Sequence, residues 1–213
     1  MFGISPASLI VRGLTLLIAF PVHELAHAWT ADRLGDTTPR WNGRLTLNPL
    51  AHLDPWGAFV FLFFGFGWAK PVPVNPYALQ RRTPAGMMLV AAAGPLSNLL
   101  LAILVAIPFR AGLLTGPFSV SGTFPTLSGL LAQFVFFNLI LLLFNLLPIS
   151  PLDGEKVLEY FLPPAGRETL ARLRPYGTVI LLGLVLLGSF GRINLLGLLI
   201  GAPAEKLFSL LIL

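Results

Sequence analysis

The chain alternates long apolar runs with short polar segments. Three of these runs are long enough to cross a hydrocarbon core of roughly 30 Å as helices. A charged stretch follows them, and two further apolar runs come after it. The three long runs and the two later ones are 5–30, 84–109, 128–147, 176–190 and 193–213. This pattern predicts an all-α polytopic membrane protein with a core of three spans, followed by one or two C-terminal spans.

One apolar run is too short to cross a membrane as a simple helix. Residues 56–68 number thirteen, whereas a spanning helix needs about 17–25, so we expect a re-entrant segment that enters and leaves on one side. The prolines of 69–76 favour an extended chain after it. Before it, 40–47 carries an Asn42-Gly43 pair, which is typical either of a β-hairpin beside the membrane segment or of a surface loop with a tight turn.

Composition supports the membrane class and restricts the chemistry. Mean hydropathy is +0.82 and only 11% of the residues are charged, against roughly 25% in ordinary soluble domains. The net charge of +5 comes from basic residues that lie mostly between the apolar runs. Topology therefore explains them better than nucleic-acid binding does, and the expected partner is the lipid bilayer. The absence of cysteine leaves only His, Asp and Glu as metal ligands. Arg12 interrupts the first run and no small-residue cleavage site follows it, so we expect no removable signal peptide.

The chemistry-bearing motif is His-Glu-x-x-His at 23–27, near the end of the first apolar run. On a helix, His23 and His27 lie four residues apart on one face, so both imidazoles can reach a single metal ion. Glu24 is placed to take a proton from water at that ion. Such polar groups are costly at membrane depth unless something compensates them, and a cation is one such compensation. Pro21 predicts a kink or a local opening of the helix just before the histidines.

A catalytic zinc site commonly has three protein ligands and one open position. If 56–68 is re-entrant, the third span returns to the side of the histidines and delivers Asp153 there. Ten of the fourteen Lys and Arg residues then lie on that side, which should be the cytoplasm. We therefore predict His23, His27 and Asp153 as metal ligands and Glu24 as a catalytic residue.

Several residues allow a second interpretation. Asp153 could instead cap a helix in a Pro-x-Asp-Gly turn. His52 and Asp54 are rival metal ligands, although a loop His-x-Asp more often makes capping or other hydrogen bonds. Asn145, at the end of the third span, could bond across helices or position a substrate. Ser97 and Asn98, in the second span, could also bond across helices.

Three motifs together resemble the site-2 protease family of intramembrane zinc metalloproteases, in particular the small bacterial and archaeal branch without PDZ or CBS domains. They are His23-Glu24-Leu25-Ala26-His27, Ala93-Gly94-Pro95-Leu96-Ser97-Asn98 and the stretch from Asn145-Leu146-Leu147-Pro148 through Asp153-Gly154. The resemblance covers residues from about 10 to about 160. It implies one zinc ion held by His23, His27 and Asp153, with Glu24 as general base and Asn145 as the active-site asparagine. It also implies that 40–47 and 69–76 lie beside the active site.

The resemblance implies a metalloprotease core at 1–160, with C-terminal transmembrane segments at 161–213. The expected activity is hydrolysis of peptide bonds within or near transmembrane helices of membrane-protein substrates. The alternative is a transporter or scaffold that binds metal without proteolysis. A transporter would favour inverted repeats, and the sequence shows no internal repeat.

Overall fold

The computed structural model describes residues 5–115, 124–190 and 195–213, and these ranges contain helices but no strand. Four helices are long and apolar enough to cross a membrane. We call them the first to fourth spans, and they are Pro6–Arg33, Gly86–Arg110, Leu127–Asn145 and Pro164–Gly188. The other helices are Thr38–Trp41, Pro49–His52, Pro55–Phe64, Pro76–Arg82, Asp153–Phe161, the π-helical Gly197–Gly201 and Ala202–Ile212. The fourth span combines the helices Pro164–Leu173 and Arg174–Tyr176 with the helix Gly177–Phe190 as far as Gly188. The all-α polytopic prediction is confirmed.

The first span changes its winding just before the histidines. It is α-helical over Pro6–Leu14 and Phe20–Arg33, with a π-helical segment at Thr15–Ala19 between them. The N–H of Phe20 donates to the carbonyl of Thr15, five residues back. Pro21 has no N–H and disturbs the regular ladder at this place, and single π turns often occur near functional sites. The predicted irregularity near Pro21 is therefore confirmed.

The segment that contains the short apolar helix Pro55–Phe64 begins and ends at the same place. Leu53 and Ala69 form an antiparallel bridge, and Lys70 N–H donates to the carbonyl of His52 at 2.7 Å. The two ends of the segment therefore lie side by side, as a re-entrant path requires. The buried Arg12 donates to the carbonyl of Leu62 at 2.7 Å, in the last turn of this helix. A cation at that end interacts favourably with the carbonyl dipoles.

Of the two alternatives for 40–47, the hairpin is wrong. Thr38–Trp41 is a helical turn, and Gly43 (φ 66°) reverses the chain in a loop, so the alternative of a loop with an Asn-Gly turn is the one observed. The loop is held by Arg44, which is 6% exposed. Its guanidinium donates to three carbonyls at 2.8–3.1 Å, those of Ala51, Lys70 and Pro71. Residues 71–75, which come after the re-entrant segment, form no helix, as their prolines predict.

The second and third spans pack along each other and form the largest core. Small residues at 102, 106 and 132 allow the two helices to approach closely. The C-terminal helix Ala202–Ile212 packs on the same cluster through Ala204 and Ile212. The fourth span is mostly exposed, with only 11% of its most apolar window buried. The largest core therefore comes from the second and third spans and the C-terminal helix, and the fourth span adds little to it.

Candidate active site

His23, His27 and Asp153 converge on one point. The two histidine Nε2 atoms lie 3.0 Å apart, as the four-residue spacing predicts. Asp153 Oδ2 lies 3.3 Å from Nε2 of His23 and 3.4 Å from Nε2 of His27. The structure thus brings together all three residues that were predicted as metal ligands, from parts of the chain that are 126 or more positions apart.

Close backbone packing brings Asp153 to the histidines. It is the first residue of the helix Asp153–Phe161, whose N-cap is Leu152 and has no side-chain cap bond. A Cβ at Gly154 would lie 2.2 Å from the carbonyl oxygen of Leu146, so only glycine allows the new helix to press against the end of the third span. The capping interpretation of Asp153 is therefore wrong, and its carboxylate is left to point at the histidines.

Hydrogen bonds on the far side of each ring orient the histidines. His27 Nδ1 lies 2.7 Å from the carbonyl oxygen of Val90, and His23 Nδ1 lies 2.7 Å from Oδ1 of Asn98. Both partners are acceptors, so each Nδ1 donates its proton, and the Nε2 of a neutral ring then presents a lone pair. Two lone pairs and the Asp153 oxygen, which is buried and has no hydrogen-bond donor, therefore face one another. Such a set of acceptors repels itself unless it shares a cation.

The dimensions of the triangle fit a zinc ion. Ligand distances of 2.0–2.2 Å in a tetrahedral site place neighbouring ligand atoms about 3.3 Å apart, and the observed edges are 3.0, 3.3 and 3.4 Å. Gly94 in the second span leaves the space open. A Cβ there would lie 2.3 Å from Nε2 of His27 and 2.6 Å from Nε2 of His23. Nitrogen and oxygen donors without thiolate also suit zinc.

The triangle opens into a cavity of about 420 Å³. Glu24, which is 8% exposed, lines this cavity next to His23, and so does Asn145. Asn145 donates to the carbonyl of Leu141 in its own helix at 2.9 Å, so it makes no bond across helices among the described residues. The extended stretch after the short apolar helix also lines the cavity, through Pro71, Val72 and Val74. All five predicted site residues therefore surround one cavity.

The rival ligands do not reach the site. His52 Nε2 lies 2.8 Å from the carbonyl of Thr46, and Asp54 caps the short apolar helix by accepting from Gly57 N–H at 2.8 Å. Both residues therefore make capping or other hydrogen bonds, which was the alternative to metal binding. Asn98 bonds across helices as predicted, whereas Ser97 bonds only to Gly94 in its own helix.

Sequence reasoning missed one buried side chain behind the site. Asn138 is fully buried in the third span and accepts from the Asn98 side chain at 3.0 Å. The sequence feature that could have revealed it is an amide side chain inside an otherwise apolar span, where polar residues usually have a specific role.

Comparison with known proteins gives relatives of one kind. The protein named "Putative zinc metalloprotease YwhC" of Bacillus subtilis (strain 168) is 41% identical over 184 residues, covering 83% of this chain and 81% of that protein. Two proteins named "Putative zinc metalloprotease Rip2" are 32% and 35% identical, from Mycolicibacterium smegmatis and from Mycobacterium tuberculosis strain H37Rv. The chain spans 66% and 64% of their lengths.

No protein-family model matches the chain, and no solved structure matches it. Membership therefore rests on the relatives, of which YwhC is aligned over most of both chains. Because that similarity extends over four fifths of each sequence, the chain belongs to the site-2 protease family.

Proposed function

We propose that this chain is an intramembrane zinc metalloprotease that hydrolyses peptide bonds within or near the transmembrane helices of membrane-protein substrates. The observation that carries the proposal is the triangle of His23, His27 and Asp153, open to a cavity that Glu24 also lines. The names of the relatives support a zinc metalloprotease. We propose one ion per chain, and the single such cluster among the described residues supports this number.

The residues divide the chemistry between binding and proton transfer. A bound zinc ion would polarise the scissile carbonyl and lower the pKa of water from 15.7 to about 7. Glu24 would accept the proton of the attacking water and later return it to the leaving amine. Asn145, on the cavity wall, has an amide that can hold the substrate backbone beside these groups. Val90 and Asn98 keep the histidine rings in the ligating tautomer.

The extended wall of the cavity suits a substrate that has lost its helical hydrogen bonds. A peptide in a membrane helix must unwind locally before it can be cleaved, and its freed backbone groups need partners. Pro71 and Pro73 leave N–H groups at Val72 and Val74, two residues apart, which is the spacing of donors along one strand edge. Within the described ranges, no protein group bonds to the backbone of either valine. We propose that the substrate pairs with this edge.

The active site would face the cytoplasm. The histidines lie toward the C-terminal end of the first span, on the same side as Asp153. The loops on that side carry ten of the fourteen basic residues, and cytoplasmic loops carry an excess of Lys and Arg. Accessibility of cysteines introduced in these loops, labelled from either side of a membrane vesicle, tests the orientation.

The decisive experiment measures zinc and cleavage in the same preparations. Purified wild type, Glu24→Gln and Asp153→Ala would each be analysed for zinc and incubated with a model transmembrane substrate in detergent. We expect about one zinc in wild type and in Glu24→Gln, weaker binding in Asp153→Ala, and cleavage by wild type alone. A transporter or scaffold would retain its function in Glu24→Gln and cleave nothing. Zinc binding that is unaffected by Asp153→Ala would contradict the ligand set.

Strand pairing has its own test. Val74→Pro removes one N–H of the edge, whereas Val74→Ala removes side-chain volume and keeps the N–H. If the substrate pairs there, the proline variant should lose most of its cleavage rate while its zinc content stays at the wild-type level. Equal rates in the two variants would contradict pairing at this edge.

A further inference from the structure

A chain of hydrogen bonds runs from the main chain of the third span to the metal-facing histidine of the first. Asn138 Nδ2 donates to the carbonyl of Phe134 at 2.8 Å, and Asn138 Oδ1 accepts from Asn98 Nδ2 at 3.0 Å. Asn98 Oδ1 then lies 2.7 Å from Nδ1 of His23. Both amide side chains are 0% exposed, so water does not compete for these bonds.

The direction of the chain is fixed at its starting point. A main-chain carbonyl can only accept, so the nitrogen of Asn138 must face Phe134 and its oxygen must face Asn98. Asn98 is then obliged to turn its nitrogen toward Asn138 and its oxygen toward His23. His23 Nδ1 must therefore be the donor, which leaves Nε2 of the neutral ring free to bind a metal.

The second histidine shows why such a chain is needed. His27 Nδ1 donates directly to the carbonyl of Val90, which cannot reverse its role. The partner of His23 is a side-chain amide, and an amide that rotates by 180° offers a donor in place of an acceptor. A donor would favour the tautomer of His23 with a proton on Nε2, and that tautomer cannot ligate through Nε2, the atom that faces the site.

We propose that Asn138 is a positioning residue for zinc binding, because it locks the Asn98 amide and thereby keeps His23 in the ligating tautomer. Asn138 itself does not line the cavity among the residues that the structure describes. The inference rests on the zinc site proposed above. A merely structural role is the competing explanation, since a polar pair between the second and third spans also joins the helices.

The first measurement reads the tautomer of His23 in protein whose Asn98 and Asn138 are unchanged. Nitrogen-15 NMR of histidine-labelled, zinc-free wild type in detergent reports which ring nitrogen carries the proton. The variants His52→Gln and His27→Gln assign two of the three histidine signals, and the remaining signal belongs to His23. We expect His23 to be protonated at Nδ1. A proton on Nε2 of His23 in the neutral ring would overturn the inference, whatever the zinc measurement gives.

The second measurement compares variants of Asn138 by competition with a chelator for zinc. Asn138→Leu should weaken zinc binding about 10- to 100-fold, as is usual when a group that orients a metal ligand is lost, and His23 should populate the other tautomer. Asn138→Asp loses the donor to Phe134 but still offers an oxygen to Asn98, so it should keep the tautomer and lose less zinc affinity than Asn138→Leu. Ser97→Ala, beside Asn98 but bonded only to Gly94, is the matched control and should change neither.

Measurements in an Asn98→Asp background distinguish a positioning role of Asn138 from a packing role. Its carboxylate has no donor end, so it accepts from His23 whether or not Asn138 is present. In this background Asn138→Leu should cost little zinc affinity, in contrast to its effect in wild type. Equal losses in both backgrounds would mean that Asn138 only joins helices, which would overturn the inference. Absence of zinc in wild type would instead contradict the proposed function, and the tautomer measurement would still decide the role of Asn138.

Discussion

Gly94→Ala is the smallest change that should remove the metal without damaging the fold. The added Cβ would lie 2.3 Å from Nε2 of His27 and 2.6 Å from Nε2 of His23. A zinc ion must lie about 2.0–2.1 Å from both nitrogens, so the methyl group and the ion compete for nearly the same space. The rest of the site, including Asp153 and Glu24, is chemically unchanged.

The magnitude follows from these distances. Real Cβ atoms essentially never come within 3.0 Å of such neighbours, so the His27 ring must retreat by about 0.7 Å, several times the tolerance of about 0.2 Å for a metal–ligand distance. Loss of a group that merely orients a ligand costs about 10- to 100-fold in metal affinity. Displacement of a ligand itself should therefore cost at least about 100-fold, or about 2.7 kcal/mol.

The stability of the helix should move much less. Alanine is favoured over glycine inside a helix by roughly 0.5–1 kcal/mol, which offsets part of the crowding cost of about 1–3 kcal/mol. The assay is zinc affinity by chelator competition, together with thermal unfolding of the zinc-free protein. Gly13→Ala is the control, because Gly13 is also helical, lies in the first span and has no atom within 4 Å of the added Cβ.

One result would refute the reasoning. If Gly94→Ala bound zinc with wild-type affinity while cleavage persisted, the ion could not lie between the two histidine nitrogens beside the second span. The ligand triangle would then be wrong. A loss of zinc affinity in Gly13→Ala of similar size would show instead that any added methyl in these helices disturbs the site.

Three further predictions concern the frame around the site. Arg44→Gln removes a buried guanidinium from three carbonyls and should lower the free energy of unfolding by about 2–5 kcal/mol, with faster proteolysis near residue 70. Burial raises the pKa of Glu159, but Lys156 and Arg174 lower it overall, below its usual 4.5. Ionised Glu159 therefore stabilises the fold above about pH 4.5, and this stabilisation is lost as the pH falls through the lowered pKa. Glu159→Gln should accordingly make the melting temperature fall less steeply at acid pH. Phe61→Ala should cost about 3–5 kcal/mol in thermal unfolding, because Phe61 is 3% exposed.

Matched controls make these outcomes specific. Arg40→Gln removes an exposed guanidinium that pairs with Asp32, Glu168→Gln removes an exposed carboxylate, and Phe64→Ala truncates a ring that is 70% exposed. Each should change stability much less than its buried counterpart does. If a buried variant behaved like its exposed control, the corresponding contact would not be a determinant of the fold.

Much of the site could be predicted because it depends on local periodicity and on chain length. The four-residue spacing places His23 and His27 on one face of any helix. The length of the run 56–68 excludes a simple crossing, and this alone puts Asp153 on the side of the histidines. These arguments need no knowledge of side-chain packing, and the converging side chains agree with them.

The rest depended on contacts that local patterns do not contain. The Asn42-Gly43 pair left a hairpin and a loop as alternatives, and the loop is held by Arg44 through carbonyls up to 27 residues away. The role of Asn138 depends on the crossing of the second and third spans, which places it opposite Asn98. A pattern of apolar residues predicts that two helices are buried, but it does not contain the way in which they cross. That crossing decides which polar residues meet.

Zinc should also stabilise the fold, because its three ligands come from two distant parts of the chain. His23 and His27 lie in the first span and Asp153 lies after the third, so a bound ion joins elements that the unfolded chain keeps apart. Binding to the folded state alone stabilises it by about 2.7 kcal/mol when free zinc is 100 times the dissociation constant. A chelator should therefore lower the melting temperature of wild type and leave that of Asp153→Ala nearly unchanged. An equal shift in both proteins would mean that the ion binds elsewhere, and the three acceptors that face one another beside Gly94 would need another partner.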